Sequence, residues 1–138
     1  MAGTHHTMTP KQIAEKWFDE LWNQKNSDYI LQVTHPDVVA HFETIVTDGA
    51  FAEKVGQHAI VEFHQNILNS FPAIKCSVIN SLGDDNDACI LWEVEATPDG
   101  AKTAFKFRGM TWFHFEDGKI VEGWDAWNEG GVMNALGA

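Results

Sequence analysis

The chain of 138 residues has the length of one domain, enough to bury roughly two thirds of the surface that its unfolded form exposes. A formal charge of −11, with Arg108 as the single arginine, argues against a phosphate backbone or an anionic membrane as partner, since both would be repelled. With 44% hydrophobic and 12% aromatic residues, the composition is that of a globular chain and not a disordered one.

Cys76 and Cys89 show no C-x-x-C spacing, so they read as reduced, buried thiols outside any zinc or redox motif. The N-terminus carries no apolar stretch of signal-peptide length. No window approaches the roughly 20 apolar residues of a membrane span. The cytoplasm is the expected location.

Residues 1–8, with the adjacent His5 and His6, have no periodicity and are expected to fray, leaving 9–138 as a single domain. Thr9-Pro10-Lys11-Gln12 combines an N-cap, a proline at the first helical position and a capping-box glutamine. Ile13, Trp17, Phe18, Leu21 and Trp22 then repeat at helical spacing, which predicts a helix over 10–24. Ser27 can cap a short second helix carrying Ile30, Leu31 and Val33, ended by Pro36. Residues 38–45 are β-rich, Asp48-Gly49 marks a turn, and 51–55 returns as a short strand. A third helix follows Gly56, with Ile60, His64, Ile67, Leu68 and Phe71 as its apolar stripe, and stops before Pro72. Beyond it the period changes to two, and turn-forming clusters divide the remainder into four strands over 74–82, 88–97, 102–115 and 119–127. Helices first and a meander last make an α+β domain, with three N-terminal helices packed on one face of a cone-shaped, curved antiparallel sheet.

Phe115-Glu116-Asp117-Gly118-Lys119 allows a two-residue or a three-residue hairpin loop. A type I turn accepts Glu and Asp at its centre, whereas a primed turn would force Asp117 to positive φ, so the three-residue loop is preferred. It pairs Phe115 with Lys119, His114 with Ile120, Trp112 with Glu122 and Met110 with Trp124, and period-two counting adds Ala126 and Asn128. Gly109 reads as a bulge that brings Phe105 and Phe107 to the same face. That face is aromatic at one end and carries His114, Glu122 and Asn128 at the other. Polar groups buried without partners cost on the order of 1–3 kcal/mol, so the face reads as the wall of a small-molecule pocket. Asp125 falls on the opposite face.

The run Phe107-Arg108-Gly109-Met110, the segment from Phe113 to Glu122, Trp124 and the ending Ala135-Leu136-Gly137 resemble SnoaL-like polyketide cyclases of the nuclear-transport-factor-2-like superfamily. The resemblance covers nearly the whole chain and implies the cone-shaped α+β barrel of that superfamily, which hosts several chemistries and members without activity. It places the cyclases' Asp general acid/base at Asn128 and their assisting histidine at His114. An Asn exchanges no proton at neutral pH, so the cyclase mechanism does not carry over at that position. The resemblance also implies a homodimer through the outer sheet face, where parity would put Thr111, Phe113 and Trp127.

Two readings stay open for His114: a general acid/base near neutrality, or a pocket histidine bonded to Glu122. Glu122 reads either as a base tuned upward by burial or as a structural partner. His41 can reach the pocket from the first strand, and Phe107, Met110, Trp112 and Trp124 would contact the ligand. No histidine pair has the i, i+4 spacing of metal ligands, and neither a nucleophile elbow nor a phosphate loop is present, so no metal and no cofactor is expected. The expected function is binding of a small, mainly apolar, carbonyl-bearing ligand, with acid/base isomerase, cyclase or lyase chemistry. The alternative is a non-catalytic ligand-binding or homodimeric assembly domain of the same fold.

Overall fold

A computed structural model describes residues 8–42 and 53–127. Asp48-Gly49, Asn128, the ending Ala135-Leu136-Gly137 and most of the first eight residues lie outside them.

Helix α1, Pro10–Phe18, begins at the capping box read from the sequence: Thr9 Oγ1 accepts from the Gln12 amide, and Gln12 Oε1 accepts from the Thr9 amide. The helix widens into a π-helical turn over Asp19–Asn23, which Lys25 closes in the left-handed region at φ 58°. Ile13, Ala14, Phe18 and Leu21 are buried by this segment, and Leu21 offers its carbonyl to His64 Nε2 at 2.6 Å. Asn23 uses its side-chain amide on the backbone of Cys76 in both directions, at 2.8 and 2.9 Å, occupying part of a sheet edge.

Helix α2, Asp28–Val33, leads directly into β1, Thr34–Phe42. The strand starts earlier than the sequence suggested, and its register with β6 breaks between Thr34 and Val39, where Pro36 has no amide to donate. After the two-residue strand β2, Lys54–Val55, helix α3 runs over Gln57–Ser70 and buries Ile60 and His64. Gln57 Nε2 donates to the backbone carbonyl and the hydroxyl of Thr34, each at 3.0 Å, which fixes the start of α3 against the head of β1.

The meander follows as β3, Ala73–Gly83, β4, Asp87–Thr97, β5, Phe105–Glu116, and β6, Lys119–Trp127. The sheet order is β2-β1-β6-β5-β4-β3. All neighbours are antiparallel except β1 and β6, which run parallel, so the sheet is mixed where a fully antiparallel one was expected. The curved sheet wraps the helices, and its inner face is built by strict alternation: Ala88, Ile90, Trp92, Val94 and Ala96 of β4 are all buried. Among the described residues no helix is long and apolar enough to cross a membrane.

Three local features of the last hairpin differ from expectation. The loop is the two-residue Asp117-Gly118, at φ 52° and 78°, a type I′ turn; Asp tolerates the left-handed region better than most residues, and this turn matches the twist of the strands. The bulge sits at Val121 and not at Gly109, because Phe115 pairs with Ile120 while His114 pairs with Glu122. Trp112 therefore faces Trp124, and Met110 faces Ala126. Strand β5 is unbroken across Gly109. Glycine stands there because the Trp92 indole lies against it, and a Cβ would meet Trp92 Cζ2 at 2.3 Å and the Ala126 carbonyl at 2.7 Å.

Candidate functional site

Unbroken alternation along β5 decides which side chains look inward. Phe105, Phe107, Thr111 and Phe113 line a cavity of about 900 Å³ between the sheet and the helices, together with Gly123, Asp125 and Trp127 of β6. Trp92 and Val94 of β4, Phe18 and Leu21 of the first helical segment, and Phe63, His64 and Ile67 of α3 complete the wall. The rings interlock: Trp92 stacks on Phe18 at a centroid distance of 6.0 Å and meets Phe107 edge-on at 5.7 Å, and Phe107 stacks on Phe105 at 5.6 Å. Such a volume and lining suit a small, largely apolar molecule.

The three buried polar side chains among the described residues, Thr34, His64 and Thr111, all line this cavity, and each is engaged with the protein. The Thr34 hydroxyl donates to the Ile30 carbonyl at 2.6 Å. His64 donates from Nε2 to the Leu21 carbonyl and accepts at Nδ1 from the Ser27 hydroxyl at 2.8 Å, which requires the neutral ring, and burial pulls its pKa below the ordinary histidine value. Trp92 Nε1 donates to Thr111 Oγ1 at 2.9 Å, and the Thr111 hydroxyl in turn donates to Asp125 Oδ1.

Asp125 is the ionisable group that the sequence reading placed outside. Burial pushes its carboxyl from 3.8 up to about 6, against the opposing pull of the Thr111 hydrogen bond. The residue is half-buried, and the surface it keeps is part of the cavity wall. Its Oδ2 has no hydrogen-bond partner among the described residues, so one carboxylate oxygen is available to a bound molecule.

Of the residues predicted to form the pocket wall, Phe105 and Phe107 do so. His41, Met110, Trp112, His114, Glu122 and Trp124 instead stand together on the opposite, outer face of the sheet, because the regular β5 and the bulge at Val121 invert the expected parity. There His41 lies between Glu122 at 2.6 Å and Glu53 at 2.8 Å and stacks on Trp124. His114 is not bonded to Glu122. Its Nδ1 meets Asp87 at 3.0 Å, and that hydrogen bond raises its pKa above the ordinary value. Asp87 also accepts from Trp112 Nε1 at 2.9 Å. Trp112 and Met110 remain about half exposed, at 53% and 50%. Thr111, Phe113 and Trp127, expected on the dimer face, line the cavity. Asn128 lies outside the described residues.

Cys76 is buried, with its thiol pushed up to about 12, whereas Cys89, expected to be buried too, alternates with the inward Ala88 and Ile90 of β4 and stays partly exposed; neither forms a disulfide. Among the described residues no three His, Cys, Asp or Glu side chains converge as metal ligands.

Comparison with known proteins agrees with this architecture. Residues 14–123 match the model of the SnoaL-like domain. Solved structures of the same fold include a SnoaL-like polyketide cyclase candidate from Jannaschia sp. CCS1, with a TM-score of 0.77 and 18% identity over 91% of this chain and 90% of that one. IdmH, a candidate polyketide cyclase from Streptomyces antibioticus, has a TM-score of 0.79 and 15% identity over 95% of this chain and all 100% of its own. A protein with a ketosteroid isomerase-like fold from Catenulispora acidiphila, solved in complex with trimethylamine, has a TM-score of 0.78 and 15% identity over 94% of this chain and 95% of that one. No curated protein sequence matches the chain. At these identities the likeness carries the fold and leaves the chemistry to the site itself.

Proposed function

The chain belongs to the SnoaL-like domain family, and from that premise we propose that its cavity binds a small, mainly apolar, carbonyl-bearing molecule on which Asp125 acts as general acid/base. The observation that carries this reading is a carboxyl with one unengaged oxygen, set in an aromatic cavity that lifts its proton affinity to about 6. A group titrating there is mostly ionised at neutral pH and is still a strong enough base to take a proton from the α-carbon of a ketone. In that step the C–H bond breaks, the proton passes to Oδ2, and the electron pair moves onto the carbonyl oxygen. Return of the proton from Oδ2 to a carbon of the resulting enolate completes an isomerisation, and the same enolate is the nucleophile that a cyclisation requires.

This reading moves the acid/base role from His114 and Glu122, which do not line the cavity, to Asp125 on the inner face. It needs neither metal nor cofactor. The alternative is a cavity that binds without turning over, and one experiment separates the two. β-Tetralone, a bicyclic ketone with readily exchanged α-protons, is incubated with the protein in D2O and followed by NMR. Saturable binding with exchange accelerated over buffer, lost in Asp125→Asn, is the expected result. Binding with exchange no faster than in buffer supports the non-catalytic site, and failure to bind this or a related aryl ketone overturns the reading.

A further inference from the structure

Asp125 owes its orientation to two other residues, neither of which the sequence singled out for a role at the site. An indole N–H can only donate. Trp92 Nε1, at 2.9 Å from Thr111 Oγ1, therefore makes that oxygen an acceptor, and the single hydroxyl proton of Thr111 is left to point at Asp125 Oδ1. An ionised carboxylate can only accept, so with Asp125 ionised the direction runs from Trp92 to Thr111 to Asp125, and the indole occupies one of the two lone pairs with which the Thr111 oxygen could accept from a protonated Oδ1.

The indole itself is held on several sides. It is buried to 7% exposure, stacked on Phe18, met edge-on by Phe107, and seated over Gly109, the position on β5 where any side chain would collide with it. Thr111, at 3% exposure, sits directly across from Asp125 in the β5–β6 ladder. The rotamers of all three are set by packing and strand register before any ligand arrives.

We propose that Thr111 is the positioning residue of Asp125, and that Trp92, seated over Gly109, orients the Thr111 hydroxyl so that its proton is aimed at Oδ1, which leaves Oδ2 as the oxygen that exchanges protons with the ligand. This rests on the reading of Asp125 as the acid/base of the cavity, and its consequence is that the proton is taken up and returned at one defined atom. Other ionisable side chains that face the cavity are His64 of α3, Lys54 of β2 and Asp99 beyond β4, and none of them is hydrogen-bonded to Asp125.

The test uses the titration of Asp125, which needs no substrate, and β-tetralone exchange alongside it. The Asp125 carboxyl carbon is followed by NMR across pH in the wild type, Thr111→Val, Thr111→Ser and Trp92→Phe. Thr111→Val keeps the shape and removes the hydroxyl; loss of a hydrogen bond to the charged form should raise the midpoint by about one unit or more. Thr111→Ser restores the hydroxyl and should return the midpoint to within a few tenths of the wild type. Trp92→Phe removes the directing N–H together with part of the indole that lines the cavity, so exchange is compared at saturating β-tetralone, where it should still fall about tenfold because orientation of the carboxyl is lost. An unchanged midpoint in folded Thr111→Val overturns the proposal. So does a Thr111→Ser midpoint that follows Val, since a merely structural role gives no such rescue. If β-tetralone does not bind the wild type, the functional reading fails on its own, and the titration series still decides whether Thr111 positions the carboxyl.

Discussion

Replacing Asp125 by Asn should make the protein more stable, in spite of removing a hydrogen-bonded side chain from the interior. The folded pKa of about 6 lies roughly two units above the ordinary 3.8, because burial disfavours the ionised form. For an acid whose folded pKa is raised, stability is fully present below the unfolded value and is lost as pH climbs through the folded one, since the unfolded chain releases its proton first. Two units correspond to about 3 kcal/mol of destabilisation at neutral pH. Asparagine keeps an oxygen to accept from Thr111 but leaves its amide nitrogen facing the cavity, which offsets about 1 kcal/mol of the gain. The net expectation is about 2 kcal/mol, a rise in Tm of about 5–8 °C for a domain of this size. Urea denaturation of both proteins from about pH 4 to about pH 8 checks the sign as well as the size. Near pH 4, where Asp125 is protonated and carries no burial cost, the Asn variant should be the less stable by about 1 kcal/mol; the curves should cross between about pH 4 and 6 and run parallel above, with the Asn variant about 2 kcal/mol the more stable. Equal stability near pH 8, or an Asn variant less stable there, would refute the claim that this carboxylate is held in a desolvated wall.

Gly109→Ala forces a methyl to 2.3 Å from the Trp92 ring and should cost about 2–3 kcal/mol in urea denaturation, as overpacking does; a neutral outcome would mean that the indole does not lie on β5. NMR titration of the histidines should find His114 above, and His64 below, the ordinary midpoint, with His64 as the Nε2–H tautomer; the reverse order would contradict the bonds to Asp87 and Leu21. For His64 the lowered value means that stability falls as pH drops through the unfolded midpoint. The exposed Leu82, Met110, Trp112 and Val55 lie on a face whose Glu93, Glu95 and Asp87 are matched by Arg108, Lys106 and His114. A second copy of the chain would bury these exposed apolar side chains, so sedimentation is expected to show a dimer for the wild type and a monomer for Trp112→Lys. A wild-type monomer at high concentration would exclude that contact. Thr9→Ala removes the capping box and should cost about 1 kcal/mol.

Much of the fold was legible because its signals are local. Thr9 and Gln12 announce a helix start that the structure repeats bond for bond, and the β4 and β5 strands alternate as half-buried strands do. The site was harder, because face assignment depends on single-residue counts. One inserted residue inverts a strand, and the sequence reading placed its insertion at Gly109, where glycine serves a close approach instead. The unforced count of Phe105, Phe107, Thr111, Phe113 and Phe115 along β5 was available and is correct. Asp117 in the left-handed region and the bulge at Val121 then combine so that His114, Glu122 and Trp124 do share a face, by a different pairing and on the other side. Asp125 could have been found by the same count, as the one acid in register with that phenylalanine-rich row.

The π-helical turn at the end of the first helical segment also imposes an order in time. The Leu21 carbonyl finds its partner in His64, 43 residues further along the chain. During synthesis the first helix can start at its own capping box, but its last turn has no tether until the third helix has been made and docked. The two ends of that bond must meet across 43 residues of chain, and Asn23 of the same turn waits on Cys76 further still, so this end of the first helical segment is secured only by partners made after it.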